Sequence, residues 1–264
     1  MGEGVHRQRW CKLKKGVGHK PKKRFGQNFL KDRFYLEKIV QAIPDGETPI
    51  VEIGSGLGDL TEKLLEKRGV VVGYEIDRDL CQILKEKFPT LQLKCGDALE
   101  IWQREGSLWS GEYDIVANLP YYIATKLILM GLGDSAVKNM VVMVQKEVAD
   151  KFLAQPGERN YSPLAIIAQS VGKVERIVNV PPGAFYPPPK VDSSVIRFRK
   201  EKGSYNREFA QFLRQAFKNP RKTLKKNLGS LLPPEKLEEF GLSPSIRPHQ
   251  VDISTFFQLF SSLK

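Results

Sequence analysis

Between residues 50 and 154 the chain alternates two hydrophobic periodicities, and that alternation leaves few folds open to it. Short apolar runs at 50–53, 70–76, 91–95, 113–117 and 139–145 read as strands. Amphipathic stretches at 59–67, 78–88, 123–130 and 147–154 read as helices, the first of them ended by Gly69. An earlier helix is expected over 32–43, stopped by Pro44. Runs such as Ile50-Val51-Glu52-Ile53 are too uniformly apolar for a half-solvated strand. They suit strands buried on both faces, with the intervening helices as the crossovers that parallel strands require. The reading is an α/β chain with a mostly parallel sheet covered by helices on both sides.

After residue 154 the pattern changes. A helix is expected over 162–171, followed by strands at 173–180 and 193–200 with no helix between them. This predicts an antiparallel pair at the sheet edge, joined by a Pro-rich segment that holds Phe185 and Tyr186. Beyond residue 202 no strand signal remains. Phe209, Phe212, Leu213, Ala216 and Phe217 share one helical stripe, while Arg207, Gln211, Arg214 and Lys218 share another. Three parts are expected: a basic, flexible arm over 1–24, an α/β domain over 25–201 and a small all-helical domain over 202–264.

The charge distribution points to a polyanionic partner. The net charge is +12, but it is concentrated. Residues 1–34 carry eleven Lys or Arg against two acids, residues 197–226 carry the same, and the remaining body is net acidic. Two basic blocks on an acidic body suit phosphate backbones. No apolar run reaches the ~18 residues of a membrane span, and the basic N-terminus has no apolar signal core. Cys11, Cys81 and Cys95 form no CxxC pair, so neither a disulfide framework nor a zinc site is expected, and a reducing, cytoplasmic setting is the simplest reading.

Candidate site residues fall at strand ends, where open α/β sheets hold ligands. Gly54-Ser55-Gly56-Leu57-Gly58 leaves the first strand and enters a helix. Its spacing departs from the GxGxxG dinucleotide fingerprint. Glu75 ends the second strand, where a carboxylate can accept both ribose hydroxyls, and Asp97 follows the third, where it could accept from an adenine amino group. Ile76 and Ala98 lie beside these acids. The set suggests an adenosine-containing ligand, either a dinucleotide or S-adenosylmethionine. After the fourth strand comes Asn118-Leu119-Pro120-Tyr121, which offers an amide, main-chain carbonyls and an aromatic plate to a flat base bearing an exocyclic amine.

Asn118 to Tyr121 resembles the Asn-Leu-Pro-Tyr motif of S-adenosylmethionine-dependent methyltransferases acting on amino groups. The segment Lys23-Arg24-Phe25-Gly26-Gln27-Asn28-Phe29-Leu30 resembles the opening signature of the ribosomal RNA adenine dimethyltransferases. So do the segment from Phe185 to Val195 and the C-terminal Arg247-Pro248-His249-Gln250. The likeness runs in order over about residues 22–264 and is strongest to the branch that dimethylates two adjacent adenosines near the 3′ end of small-subunit (16S) ribosomal RNA. It implies a Rossmann-like class I methyltransferase sheet, S-adenosylmethionine as cofactor, and ribosomal RNA or an immature small subunit as partner. Methyl transfer from a sulfonium needs no metal, so none is expected, and a monomer is the expected state. The likeness also implies roles. Asn28 and Leu30 close over the cofactor, Gly54 and Gly56 approach its methionine portion, and Glu75 with Ile76 and Asp97 with Ala98 take its ribose and adenine. Asn118 and the Leu119 carbonyl accept from the target N6 amine, Pro120 stiffens the turn, and Tyr121 and Phe185 sandwich the base. Phosphate contacts are expected from Lys22, Lys23, Arg24, Arg207, Arg214, Lys218, Arg221, Lys222, Lys225 and Lys226. Two alternatives stay open: an adenine target in large-subunit RNA, and a non-catalytic RNA-binding factor on the same fold. A nicotinamide dehydrogenase conflicts with the glycine spacing and leaves Asn118 to Tyr121 unexplained.

Overall fold

The computed structural model describes residues 19–263. Its elements in chain order are β1 (Phe29–Leu30), α1 (Arg33–Ala42), β2 (Ile50–Ile53), α2 (Asp59–Lys67), β3 (Val71–Glu75), α3 (Arg78–Lys87), β4 (Gln92–Cys95) and α4 (Ala98–Glu105). Then come β5 (Tyr113–Asn118), α5 (Ala124–Gly133), β6 (Val137–Gln145), α6 (Lys146–Leu153), α7 (Pro163–Val171), β7 (Gly172–Val180), β8 (Phe185–Tyr186) and β9 (Ser193–Lys200). The C-terminal segment is helical: α8 (Arg207–Ala216), α9 (Leu224–Leu228), α10 (Pro234–Glu239) and α11 (Ile253–Ser261).

Seven strands form one sheet in the order β4-β3-β2-β5-β6-β9-β7. Strands β2 to β6 are parallel, and β9 runs antiparallel to both its neighbours. The expected antiparallel pair is therefore present at that edge. Its reversed member β9 is inserted between β6 and β7, so β7 is the outer strand.

Residue alternation splits the core between the two sheet faces, as a period of two requires. Val51, Ile53, Val72, Ile115, Ala117 and Val142 face one cluster, with Trp102, Leu127 and Phe198. Ile50, Val71, Val116 and Val141 face the other, with Leu36, Ile39 and Leu64 of α1 and α2. The C-terminal helices add Phe209, Leu213, Phe256 and Leu259 to the first cluster. There Phe209 stacks on Phe257 with ring centroids 4.2 Å apart.

Register sets up the site. Ile53 lies opposite Tyr74 on β3 and Ala117 on β5, so the carboxyl ends of three central strands are level. Gly54, Glu75 and Asn118 consequently emerge at one edge.

Two departures from the sequence reading lie in the sheet and its crossovers. Helix α4 was not expected. It starts where Asp97 accepts from the Leu99 N–H at 2.8 Å. The expectation of unpaired cysteines also fails, because Cys81 and Cys95 are joined as a disulfide with Cα atoms 6.1 Å apart. Pairing of β4 with β3 sets Cys95 opposite Glu75, and the first turn of α3 returns Cys81 to within 3.4 Å of the Glu75 carbonyl. Sequence spacing alone cannot show that approach. Among the described residues, no helix is long and apolar enough to cross a membrane.

Candidate active site

The carboxyl edge of the sheet opens on two adjoining cavities, one larger than the other. Gly54, Gly56, Phe29 and Asn118 line both. The turn between β2 and α2 needs glycine at Gly54 and Gly56, which have φ of +79° and +59°. A Cβ on Gly56 would also sit 3.1 Å from the Phe29 ring, so the missing side chain lets the N-terminal segment close down on the turn.

Glu75 forms the cavity floor. It is buried, and its two oxygens accept from the Gly56 N–H at 2.8 Å and the Asp77 N–H at 2.9 Å. Burial pushes its carboxyl above the ordinary carboxylate range, and those main-chain donors pull against the shift. Glu52 lines the smaller cavity and is 1% exposed. Burial raises its carboxyl to about 7, opposed by the Thr61 hydroxyl, which donates to it at 2.6 Å.

Residues 19–31 form a strap across this edge. Strand β1 pairs antiparallel with β8, setting Phe29 against Tyr186 and Leu30 against Phe185. Lys31 pairs with Asp59 at 2.6 Å. Upstream, the strap is latched to Asp77, itself 1% exposed, by Lys22 at 2.6 Å, Gln27 at 2.9 Å and His19 at 3.4 Å. Lys22 also reaches Asp79 at 2.7 Å. Burial alone would raise the Asp77 carboxyl, but Lys22 and Gln27 outweigh it and hold the group below its usual range.

Asn118 closes the opposite wall. Its Nδ2 donates to the Asn28 carbonyl at 2.9 Å, which commits the amino half of the amide to the strap. The remaining Oδ1 is an acceptor with no proton to gain or lose near neutrality. The Leu119 N–H donates to the Met143 carbonyl at 3.1 Å and so fixes the following turn to β6. Tyr121 lines the larger cavity, with its hydroxyl 2.9 Å from Ser193 Oγ. Burial raises that phenol and Ser193 opposes it, so Tyr121 stays neutral at physiological pH.

Comparison with known proteins agrees with this geometry. Residues 18–264 match the family described as Ribosomal RNA adenine dimethylase. The chain belongs to that family. It is 47% identical over 249 residues to the Ribosomal RNA small subunit methyltransferase A of Sulfurimonas denitrificans, covering 90% of this chain and 92% of the relative. It is 45% identical to the protein of the same name from Campylobacter concisus, covering 93% and 95%. A dimethyladenosine transferase from Plasmodium falciparum superposes with a TM-score of 0.77 at 28% identity, over 89% of this chain and 98% of the other. The 23S rRNA methyltransferase ErmE shares the fold, with a TM-score of 0.73 at 24% identity over 89% and 99%.

Within this dimethylase fold, the larger cavity gathers Asn28, Gly54, Gly56, Glu75, Ile76, Asn118, Leu119, Pro120 and Tyr121. Leu30 lines the smaller one. Asp97 and Ala98 line neither. Asp97 caps α4 and Ala98 is buried, although the Gly96 N–H to Glu75 carbonyl bond of 2.8 Å keeps them next to the floor.

Phe185, expected to face Tyr121 across the base, lines neither cavity. It is 1% exposed and packed in the core cluster, paired with Leu30 in the β1–β8 ladder. Lys22 turns to Asp77 and Asp79 rather than outward, so the segment over 19–24 is part of the latch and not of a free arm. Residues 1–18 of the expected arm lie outside the described residues. Lys23 and Arg24 are exposed, with Arg24 over the Phe25 ring at 4.6 Å. Arg207, Arg214, Lys218, Arg221, Lys222, Lys225 and Lys226 are exposed as well.

Sequence reasoning missed Glu52, Asp77, Gln27 and His19 as site residues. A lone acid inside the apolar run 50–53 is the signal that could have found Glu52. Asp77 had only the signal of a helix cap. The partners of Asp77 come from far along the chain, which no local pattern reveals.

Proposed function

We propose that this protein transfers methyl groups from S-adenosylmethionine to the N6 amines of two adjacent adenosines near the 3′ end of small-subunit (16S) ribosomal RNA, giving N6,N6-dimethyladenosine. The observation that carries this reading is the Asn118 amide. Its amino half is held by Asn28, so its oxygen is left for a substrate N–H at the edge of a cavity floored by Glu75.

The donor set fits the cofactor. Glu75 would take the ribose hydroxyls, Ile76 and Leu80 give an apolar wall to adenine, and Asp97 stands within one strand spacing for the adenine amine. Gly54 and Gly56 admit the methionine portion, and Glu52 would face its ammonium. When bound, the cofactor supplies an electrophilic methyl on a sulfonium.

The chain's own residues then handle the amine. The adenine N6 lone pair is delocalised into the ring, so the base must be gripped through its N–H groups to point that nitrogen at the methyl. Asn118 Oδ1 and the Leu119 carbonyl suit that task. Neither titrates, and no carboxylate or His lies in the tetrapeptide, so proton loss after transfer goes to solvent. Alignment of this kind contributes roughly 7–11 kcal/mol relative to free encounter. Tyr121 gives the flipped base an aromatic face. Phe185, itself a residue of β8 paired with Leu30, would support that wall from the core.

Residues 202–264 and the exposed Lys23 and Arg24 would bind phosphates and leave specificity to RNA shape. The protein would act as a single chain on an immature small subunit in the cytoplasm. Primer extension on unmodified small- and large-subunit RNAs, after incubation with the protein and cofactor, tests the assignment. Stops at two neighbouring adenosines of the small-subunit RNA are expected. A stop confined to the large-subunit RNA rejects it.

A further inference from the structure

Tyr122 lies one residue past the Asn-Leu-Pro-Tyr turn and is 67% exposed, the most exposed large hydrophobic side chain among the described residues. One exposed ring is ordinary on a protein surface; this one is set apart by its place at the mouth of the cavity, where its apolar body and polar tip suit a stacking contact. The ring stands over a corner of the larger cavity: a Cβ on Gly26 would lie 3.7 Å from Tyr122 Cε1 and 3.8 Å from Pro120 Cβ, and both Gly26 and Pro120 line that cavity. Tyr122 also lines an open groove between α4, α5 and the segment leading into α8. Lys126, in the first turn of α5 and four residues past Tyr122, lines the same groove, and Arg207 closes it from the start of α8. Both cations are exposed. The molecule thus has an aromatic plate at the rim of the pocket and a groove leading away from it between two cations.

We infer that this groove carries the RNA strand flanking the target adenosine and that Tyr122 stacks on the neighbouring nucleotide. The inference rests on the function proposed above. Extruding one base removes a stacking partner from the next, and an exposed ring beside the pocket replaces it. Lys126 and Arg207 then neutralise the phosphates on either side of the strand. A second reaction on the adjacent adenosine would use the same platform after the strand advances by one nucleotide. The occupant is a single-stranded RNA segment: the exposed charges beside the ring are the cations Lys126 and Arg207, while Asp134, which also lines the groove, is engaged by donors from Trp102, Ser107 and Tyr113.

The test uses the full-length protein with Tyr122→Ala and Tyr122→Phe. Affinity for unmodified small subunits is measured by filter binding with S-adenosylhomocysteine present, and methyl transfer and S-adenosylhomocysteine affinity are measured separately. Tyr122→Ala should weaken particle binding at least about fivefold, the low end for removal of one base–aromatic stack, and raise KM in proportion. Its kcat and S-adenosylhomocysteine affinity should stay within about twofold, and Tyr122→Phe should match the parent, because stacking does not need the hydroxyl. Unchanged particle binding by Tyr122→Ala overturns the inference. So does a parallel fall in S-adenosylhomocysteine affinity, which would make the ring part of the cofactor cover. If the parent binds particles but transfers no methyl, the proposed chemistry fails while the binding comparison still decides the role of Tyr122.

Discussion

Replacing Glu52 with Gln should abolish a pH dependence of cofactor affinity. Glu52 is 1% exposed, its hydroxyl partner Thr61 is 2.6 Å away, and burial lifts its carboxyl from 4.5 to about 7. The group is therefore mostly neutral in the free protein at pH 6 and mostly ionised at pH 8. A ligand that brings an ammonium to Glu52 selects the ionised form. With a midpoint near 7, the ionised fraction rises from about one in eleven at pH 6 to about ten in eleven at pH 8, and apparent affinity scales with that fraction. The parent should bind S-adenosylhomocysteine about tenfold more tightly at pH 8 than at pH 6, beyond the trend that the ligand's own amine imposes on both proteins. Glu52→Gln should show only that shared trend. Stability should move in the opposite sense. Between about 4.5 and 7 the native state keeps a proton that the unfolded chain has released, so stability falls as pH rises through this window, by up to about 3 kcal/mol, and is then level. The Gln variant should lack that fall. Titration calorimetry at pH 6, 7 and 8 with thermal unfolding at the same values checks both. Equal pH slopes for parent and variant refute the reasoning.

Further outcomes follow from other parts of the site. Asn118→Ala should lower methyl transfer roughly 10²–10³-fold, the scale of removing one preorganised polar group, while RNA binding stays within about twofold; equal turnover would remove Asn118 from the chemistry. Asp77→Asn keeps an acceptor at the start of α3 but weakens the pull on Lys22, so trypsin should cut at Lys23 and Arg24 faster and S-adenosylhomocysteine should bind severalfold more weakly. Unaltered digestion would mean that the latch does not hold the strap. Neutralising Arg214 and Lys218 together should flatten the salt dependence of RNA binding by about 0.7–0.9 log unit for each phosphate no longer neutralised, and an unchanged slope would place that helix face away from the RNA.

Much of the sheet was legible because buried parallel strands and amphipathic crossovers write their periods directly into the chain. The runs at 50–53, 70–76 and 113–117 all became strands of the central sheet, and their common register brought Gly54, Glu75 and Asn118 to one edge. What stayed hidden depends on pairing between distant segments. The strap is one case: β1 is only two residues long and is defined by its partner β8, more than 150 residues later. That pairing buries Phe185, so an aromatic in a Pro-rich loop looked available for a base when the fold commits it to the core. Lys22 shows the same limit for charge. In the sequence it belongs to a basic run, and only the fold shows that Asp77 and Asp79 claim it.

The central claim is that the edge built by Glu75, Asn118 and Tyr121 presents an adenine N6 to an activated methyl group. Mass spectrometry of nucleosides digested from unmodified small ribosomal subunits, after incubation with the protein and deuterated-methyl S-adenosylmethionine, tests it most directly. The account predicts N6,N6-dimethyladenosine with both methyls labelled, two residues per particle. Label on any other nucleoside, or none on adenosine while the cofactor binds normally, would contradict it.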